Sequence, residues 1–343
     1  MKQFFKSVFG VISAHKVATI LITLALLVCC VGLPLLGTMY LNRFSKGTVP
    51  TDEDLAKAVK YDRVVIIGVD GAGGYFAKAD TPEFDRVFAN GSVTYRGISQ
   101  NPTVSAQNWT SMLHGVRYQK HGITNDISGE KPYTDDRYPS VFKVYAAAHP
   151  EAQFLSGCTW ANVNNGIIEQ LDSVFKVNVD DYPNTFDGSD KTGASKDQAT
   201  VDLTLAKLGE IDPVITYFQL DQVDHVGHDV GYGKPAFAAA CTSVDKLIGQ
   251  IYDAYAAKGW ADSTLFIAVS DHGHLPWGGH GTNTANERYV MVAVAGAKGN
   301  IVKGTPGKVV TQDIASIVMY ALGEKQPDSW ESKVPYGMFT TLK

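Results

Sequence analysis

The chain has 343 residues, 45% of them hydrophobic and 19% charged, with a formal net charge of -5. These are ordinary globular values, with enough chain for one sizeable core. The slight acidity, without a basic cluster in the body, excludes the electrostatic footprint of a protein that binds a nucleic-acid polymer.

In chain order, residues 1–16 lead into "VATILITLALLVCCVGLPLLGTMYL" (17–41), which carries no charge. It is long enough to cross a hydrocarbon core of about 30 Å as a helix. The apolar region of a cleaved signal peptide covers only about 7 to 15 residues, so 17–41 is expected to be an uncleaved transmembrane anchor. Lys2, Lys6 and Lys16 precede the span, whereas Arg43 and Lys46 follow it and soon give way to "TDEDL". That bias puts 1–16 in the cytoplasm and the body outside it, as a single-pass membrane protein. Cys29 and Cys30 lie within the span; Cys158 and Cys241 belong to the body, where an external compartment permits a bridge that the sequence does not decide. The polar segment 42–62 reads as a linker with room for a short helix, and the folded domain is expected over 63–343.

Three apolar runs share a form: "RVVIIGVD" (63–70), "PVITYFQLDQVD" (213–224) and "TLFIAVSD" (264–271). Each is rich in Val, Ile and aromatic residues without alternation, as in central strands covered on both faces. Each delivers an aspartate at or just past its C-terminal end, where ligands bind in open α/β sheets. Between the second and third, "FAAACTSVDKLIGQIYDAYAAKG" (237–259) has helical spacing at Val244, Leu247, Ile248 and Ile251. The predicted fold is α/β: a doubly wound, mostly parallel sheet with helices on both faces. The polar stretch 180–198 reads as a surface loop.

An aspartate after a strand is ordinarily a turn residue or a cap, but here histidines join the aspartates. "DHVGH" sets Asp224 and His228 four residues apart, "SDHGH" sets Asp271 beside His272, and "WGGHGT" adds His280. Carboxylate and imidazole are the ligands expected for zinc, and less often for manganese or iron. Asp70, in "VDGAGG", supplies a further carboxylate.

The order Asp, Ser, Asp-x-x-x-His, Asp-His, His resembles the type I phosphodiesterases and nucleotide pyrophosphatases of the alkaline phosphatase superfamily. The resemblance starts at Val64 and takes in "NPTVSAQNWTSMLHG", "RYQKHGIT", "DHVGH", "SDHG", "GGHG" and "VTQDIASIVMYALG" (309–323). It implies two divalent metal ions, expected to be zinc, one held by Asp70, Ser105, Asp271 and His272 and the other by Asp224, His228 and His280. Ser105 would be the nucleophile, forming a covalent phosphoseryl intermediate, although the phosphodiesterase branch usually has threonine there. Asp221 competes with Asp224, which is preferred because its spacing to His228 is the family's. His225 and His274 are expected behind the ligands or in solvent, while His114 and His121 are left without a role.

"SAQNWTSMLHG" has the form of a helix, with Trp109, Met112 and Leu113 on one face and Gly115 at its C-terminus. Ser105 then falls at the helix start, where free N–H groups attract anions, so the Ala106 amide is expected to donate to a phosphoryl oxygen. Asn108 is expected, from the resemblance, to donate its side chain to the same oxygen.

Asp70, Asp271, Asp224 and a Ser105 alkoxide sum to about -4 against two dications, which leaves nothing extra for a doubly charged monoester and favours a diester. The expected substrate is a small phosphate ester: a nucleotide, another phosphodiester or a lipid head group. A sulfatase is opposed because Ser105 is not followed by x-Pro-x-Arg. The alternatives are a membrane-anchored phosphomonoesterase or a phosphoethanolamine-type transferase of the same superfamily. From another class, an inactive binding protein on this fold would be marked by a missing ligand or nucleophile, and none is missing.

Overall fold

The computed structural model describes residues 46–130, 132, 133 and 135–342. Segments 1–16 and 17–41 and the first four residues of the expected linker lie outside the described residues. Among those described, no helix is long and apolar enough to cross a membrane.

In chain order the strands are β1 (Gly47–Thr48), β2 (Arg63–Val69), β3 (Ser92–Ile98), β4 (Gln153–Cys158), β5 (Val174–Asn178), β6 (Pro213–Leu220), β7 (Thr264–Val269), β8 (Tyr289–Ala295) and β9 (Val334–Pro335). Seven form one sheet in the order β3-β8-β7-β2-β6-β4-β5, and β1 pairs separately with β9. Within the large sheet only β8 runs against the others.

The longer helices are α1 (Pro82–Phe88), α2 (Ser105–His114), α3 (Val141–Ala148), α4 (Ala194–Lys207), α5 (Gln222–Val230), α6 (Pro235–Ala257) and α7 (Asp313–Leu322). They divide between the two faces as a doubly wound sheet requires. On β2, Val64 and Ile66 pack into the core formed with α2, α3 and α7. Val65, Ile67 and Val69 point the other way, into the core formed with α1, α4, α5 and α6. In α6, Val244, Leu247, Ile248 and Ile251 are all buried, as their spacing predicts.

The three apolar runs become the adjacent central strands β7, β2 and β6, and their C-terminal ends are level, with Val69 opposite Leu220 and Gly68 opposite Val269. Asp70, Asp221 and Asp271 therefore leave the sheet at one place. The second run is shorter than its apolar pattern suggests: β6 stops at Leu220 and the chain enters α5, so Asp224 and His228 lie one helical turn apart. Gly68 is required here, because a Cβ would come within 2.7 Å of the Trp109 indole that crosses the strand from α2.

Two expectations change, and one open question closes. Residues 46–62 belong to the body: β1 pairs with β9, Thr51 caps the helix Asp52–Ala56, and Tyr61 is buried. The 180–198 segment is mostly exposed loop, but α4 begins at Ala194 and Asp197 is fully buried. Its carboxylate accepts from the backbone amides of Asp221 and Gln222, at 2.8 and 2.9 Å, and so caps the start of α5. Finally, Cys158 and Cys241 are free buried thiols in the cores on opposite faces of the sheet.

Candidate metal centre and nucleophile

The N-terminus of α2 is set by the turn that precedes it. Val104 is the extended N-cap and Ser105 the first helical residue, while Gly115 ends the helix in the left-handed region with φ 63°. Ser105 is thus inside the helix and not its cap. Its Oγ lies 3.1 Å from His272 Nε2 and 3.5 Å from Asp70 Oδ1.

Two groups of ligand atoms lie here, the first of them against this hydroxyl. In the first, Asp70, Asp271 and His272 are all buried and their ligand atoms lie within 4.8 Å of one another. His272 Nε2 is 3.3 Å from Asp271 Oδ2 and 3.5 Å from Asp70 Oδ1. In the second, Asp224, His228 and His280 converge, joined by His274. Asp221 also comes within the same limit of Asp70 and Asp224.

The imidazoles are held in one sense. His272 Nδ1 meets the Gly273 carbonyl at 3.2 Å and His280 Nδ1 the Thr103 carbonyl at 2.7 Å. A carbonyl only accepts, so each Nδ1 carries the hydrogen and each Nε2 turns a lone pair inward, the tautomer a metal ligand needs.

The carboxylate of Asp70 is fixed from behind, Oδ2 accepting from Trp109 Nε1 at 2.9 Å and from Gln219 Nε2 at 3.0 Å. Trp109→Phe keeps an aromatic ring and removes one of these donors. It is expected to weaken metal binding by about 10–100-fold, and a metal titration of the variant checks this.

Concentrated negative charge dominates the electrostatics. Burial, then the charges of Asp271, Asp224 and Asp221, pushes the Asp70 carboxyl well above the usual carboxylate range. Burial does the same to Asp271, and burial with Asp224 and Asp197 pushes Asp221 up to about 7. For Asp224 burial acts upward as well, but the contacts with His228 and His274 outweigh it and hold the carboxyl well below its usual range. Asp224 Oδ1, Asp271 Oδ2 and His274 Nε2 are buried without a hydrogen-bond partner. Facing carboxylates with orphaned buried atoms, lined by inward imidazoles, are a donor set suited to divalent cations.

Two expectations fail here. The Ala106 amide does not face the site, because it donates to Asn125 Oδ1 at 2.9 Å, which satisfies an otherwise orphaned helix N–H. Asn108 is wholly buried and occupied at both ends: Oδ1 accepts from Ser99 Oγ at 2.9 Å and the Gln100 amide at 2.6 Å, and Nδ2 donates to Val104 O at 3.0 Å and Pro102 O at 3.3 Å. It staples the turn leading into α2 and has no donor left for a substrate.

The residue missed is Asn125. With its Oδ1 held by Ala106, its Nδ2 has no hydrogen bond among the described residues, and the side chain is exposed beside Ser105. The motif "RYQKHGIT" stops one residue short of it.

His225 turns away to Lys191 O at 2.8 Å, and His114 is buried against the carbonyls of Tyr138 and Ile167. His121 supports the Asn125 loop. Its Nδ1 accepts from the Ile123 amide at 3.0 Å, which leaves Nε2–H for Ser111 Oγ at 3.0 Å. Burial first, then the charge of His114, lowers its pKa to about 3 from 6.5. Between those values the unfolded chain binds a proton that the folded chain refuses, so stability present above pH 6.5 is lost on acidification. From pH 6.5 to 5 the loss is expected to be about 2 kcal/mol. Unfolding curves of the wild type and His121→Gln across that range check this, the variant lacking that part of the slope.

A sequence model of the type I phosphodiesterase / nucleotide pyrophosphatase family matches residues 64–286. Among curated proteins, GPI ethanolamine phosphate transferase 2 of Yarrowia lipolytica is 20% identical over 268 residues, which are 74% of this chain and 29% of that protein. The chain therefore spans less than a third of that relative. Among solved structures, murine ectonucleotide pyrophosphatase / phosphodiesterase 5, as an inactive variant in complex with AMP, superposes with a TM-score of 0.58 at 12% identity, covering 78% of this chain and 96% of that one. A 2-O GAG sulfatase gives 0.63 at 11% identity, covering 80% and 73%. At such identities the structural likeness concerns the fold.

Proposed function

The chain belongs to the type I phosphodiesterase / nucleotide pyrophosphatase family, and from that premise we propose that it is a two-metal phosphodiesterase acting through a phosphoseryl intermediate on Ser105. The observation that carries the reading is the position of Ser105 Oγ, 3.1 Å from His272 Nε2 and 3.5 Å from Asp70 Oδ1, on the margin of a buried acidic and imidazole cluster. Asp70, Asp271 and His272 would hold one cation together with Ser105, and Asp224, His228 and His280 the other; zinc suits this donor set. Bound cations would supply Lewis acidity, making the serine oxygen nucleophilic and offsetting charge on the phosphoryl oxygens.

The protein's own part is positioning. The start of α2 points Ser105 Oγ at the cluster, and Asn125 Nδ2 is available to donate to a phosphoryl oxygen. Oγ attacks phosphorus and the bond to the leaving oxygen breaks, so the phosphoryl group stays on Ser105. Water then attacks the same phosphorus and frees the serine.

Asp221 adds a fourth carboxyl to the three counted from sequence. More negative charge makes a dianionic monoester a poorer guest and supports the diester. A nucleotide or a lipid head group meets that requirement.

The kinship with a GPI ethanolamine phosphate transferase favours a second reading, transfer of the phosphoryl-bearing group from Ser105 to a hydroxyl acceptor instead of water. Anchorage by 17–41 with the domain outside the cytoplasm, supported by sequence alone, suits either reading.

The test is metal-replete full-length protein in detergent, assayed with bis(4-nitrophenyl) phosphate, 4-nitrophenyl phosphate and 4-nitrophenyl sulfate, with and without an added alcohol acceptor. Fastest release from the diester supports the proposal. Fastest release from the monoester or the sulfate overturns it, and acceptor-dependent release supports the transferase.

A further inference from the structure

We propose that His274 is a fourth protein ligand of the cation held by Asp224, His228 and His280; this rests on reading that group as a metal site. His274 is fully buried, and its Nε2 has no hydrogen-bond partner. An imidazole nitrogen left so in the interior is destabilising unless something else engages it. Its other nitrogen settles the direction of the ring. Nδ1 lies 3.0 Å from the Gly71 carbonyl, which only accepts, so Nδ1 carries the hydrogen and the Nε2 lone pair points inward.

What it points at is a second orphaned acceptor. Nε2 stands 3.1 Å from Asp224 Oδ1, itself buried and without a hydrogen bond. A lone pair facing a carboxylate oxygen is repulsive unless a cation lies between them. A proton could join this one pair, but the same carboxylate faces His228 Nε2 at 3.4 Å and His280 Nε2 at 3.6 Å, and those two nitrogens are 3.1 Å apart. A proton on His274 Nε2 answers only the first of these contacts, whereas one cation can engage all four residues. The ligand atoms of all four residues lie within 4.8 Å of one another, close enough to share one cation.

The space for the ring is cleared by sequence. A Cβ on Gly71 or on Gly227 would lie 2.5 Å from His274 Cε1, and Gly71 also has φ +69°. Two glycines, one in the turn after β2 and one inside α5, thus flank one imidazole.

The experiment is metal binding by the full-length protein, with wild type, His274→Ala and His274→Gln stripped and titrated with zinc against a chromophoric chelator, and with cobalt(II) followed by its visible absorption. Expected are two sites in the wild type, one weakened about 100-fold or more in both variants, beyond the 10–100-fold of a lost outer-shell partner, with a changed cobalt spectrum. The drop in Tm caused by each substitution should be larger with metal than with chelator. Two sites of unchanged affinity in a folded variant, or equal Tm losses with and without metal, overturn the proposal and leave the two-metal reading standing. A wild type that binds no metal overturns both.

Discussion

Replacing Ser105 with alanine is expected to lower kcat for the diester by about 10^4-fold or more while the protein stays folded and metal-loaded. The change removes one oxygen, whose hydrogen-bonding contacts among the described residues are His272 Nε2 and Asp70 Oδ1. It leaves α2 intact, since the first backbone bond of that helix, Asn108 N to Val104 O, does not involve the side chain. The stability cost is therefore expected to be about 1 kcal/mol. Ser105→Thr keeps the hydroxyl at the first helical position and is expected to retain turnover within about tenfold of wild type. Acid-quenched mass spectrometry supplies the second readout: wild type and Ser105→Thr should carry a phosphoryl group during turnover, and Ser105→Ala should not. Full turnover in Ser105→Ala would show that water attacks the substrate directly and that the serine only lines the site.

The features that came through from sequence are those with a strict local signature. The runs at 63–70, 213–224 and 264–271 are apolar without alternation because strands buried on both faces must be, and they became the three central strands. Once those strands are adjacent, their aspartates meet without further information. What sequence could not supply was the direction of side chains on short, fully buried elements. Asn108 sits one turn beyond Ser105, but all ten residues of α2 are buried, so helix spacing alone does not separate a residue facing the site from one facing the preceding turn. Asn125 depends on a tertiary approach between a four-residue helix and the start of α2. By sequence His274 ranks with His225, because both neighbour stronger candidates. The structure separates them, His225 toward the exposed Lys191 loop and His274 into the space left by Gly71 and Gly227.

Removal of metal should have the second large effect, with the pH dependence of stability as the sharper readout. Without cations, Asp70 and Asp271 are buried carboxyls pushed well above their usual range, and Asp221 is pushed up to about 7. A carboxyl that holds its proton more tightly folded than unfolded contributes most to stability in acid. That contribution is lost as pH rises from about 4, the unfolded value, through the folded one. Chelated protein should therefore melt at progressively lower temperature between pH 5 and 8. His121 opposes this trend only below about 6.5, so the descent is cleanest between pH 6.5 and 8. Cations that bind the ionised carboxylates reverse the balance, and each site held at 100 times its Kd adds about 2.7 kcal/mol. The Tm difference between loaded and chelated protein should thus widen as pH rises, because binding displaces protons from the ligands. Turnover should vanish on chelation and return on adding zinc. A Tm difference that narrows toward pH 8, or chelated protein that hydrolyses the diester at full rate, would mean that the cluster holds protons rather than metal at working pH.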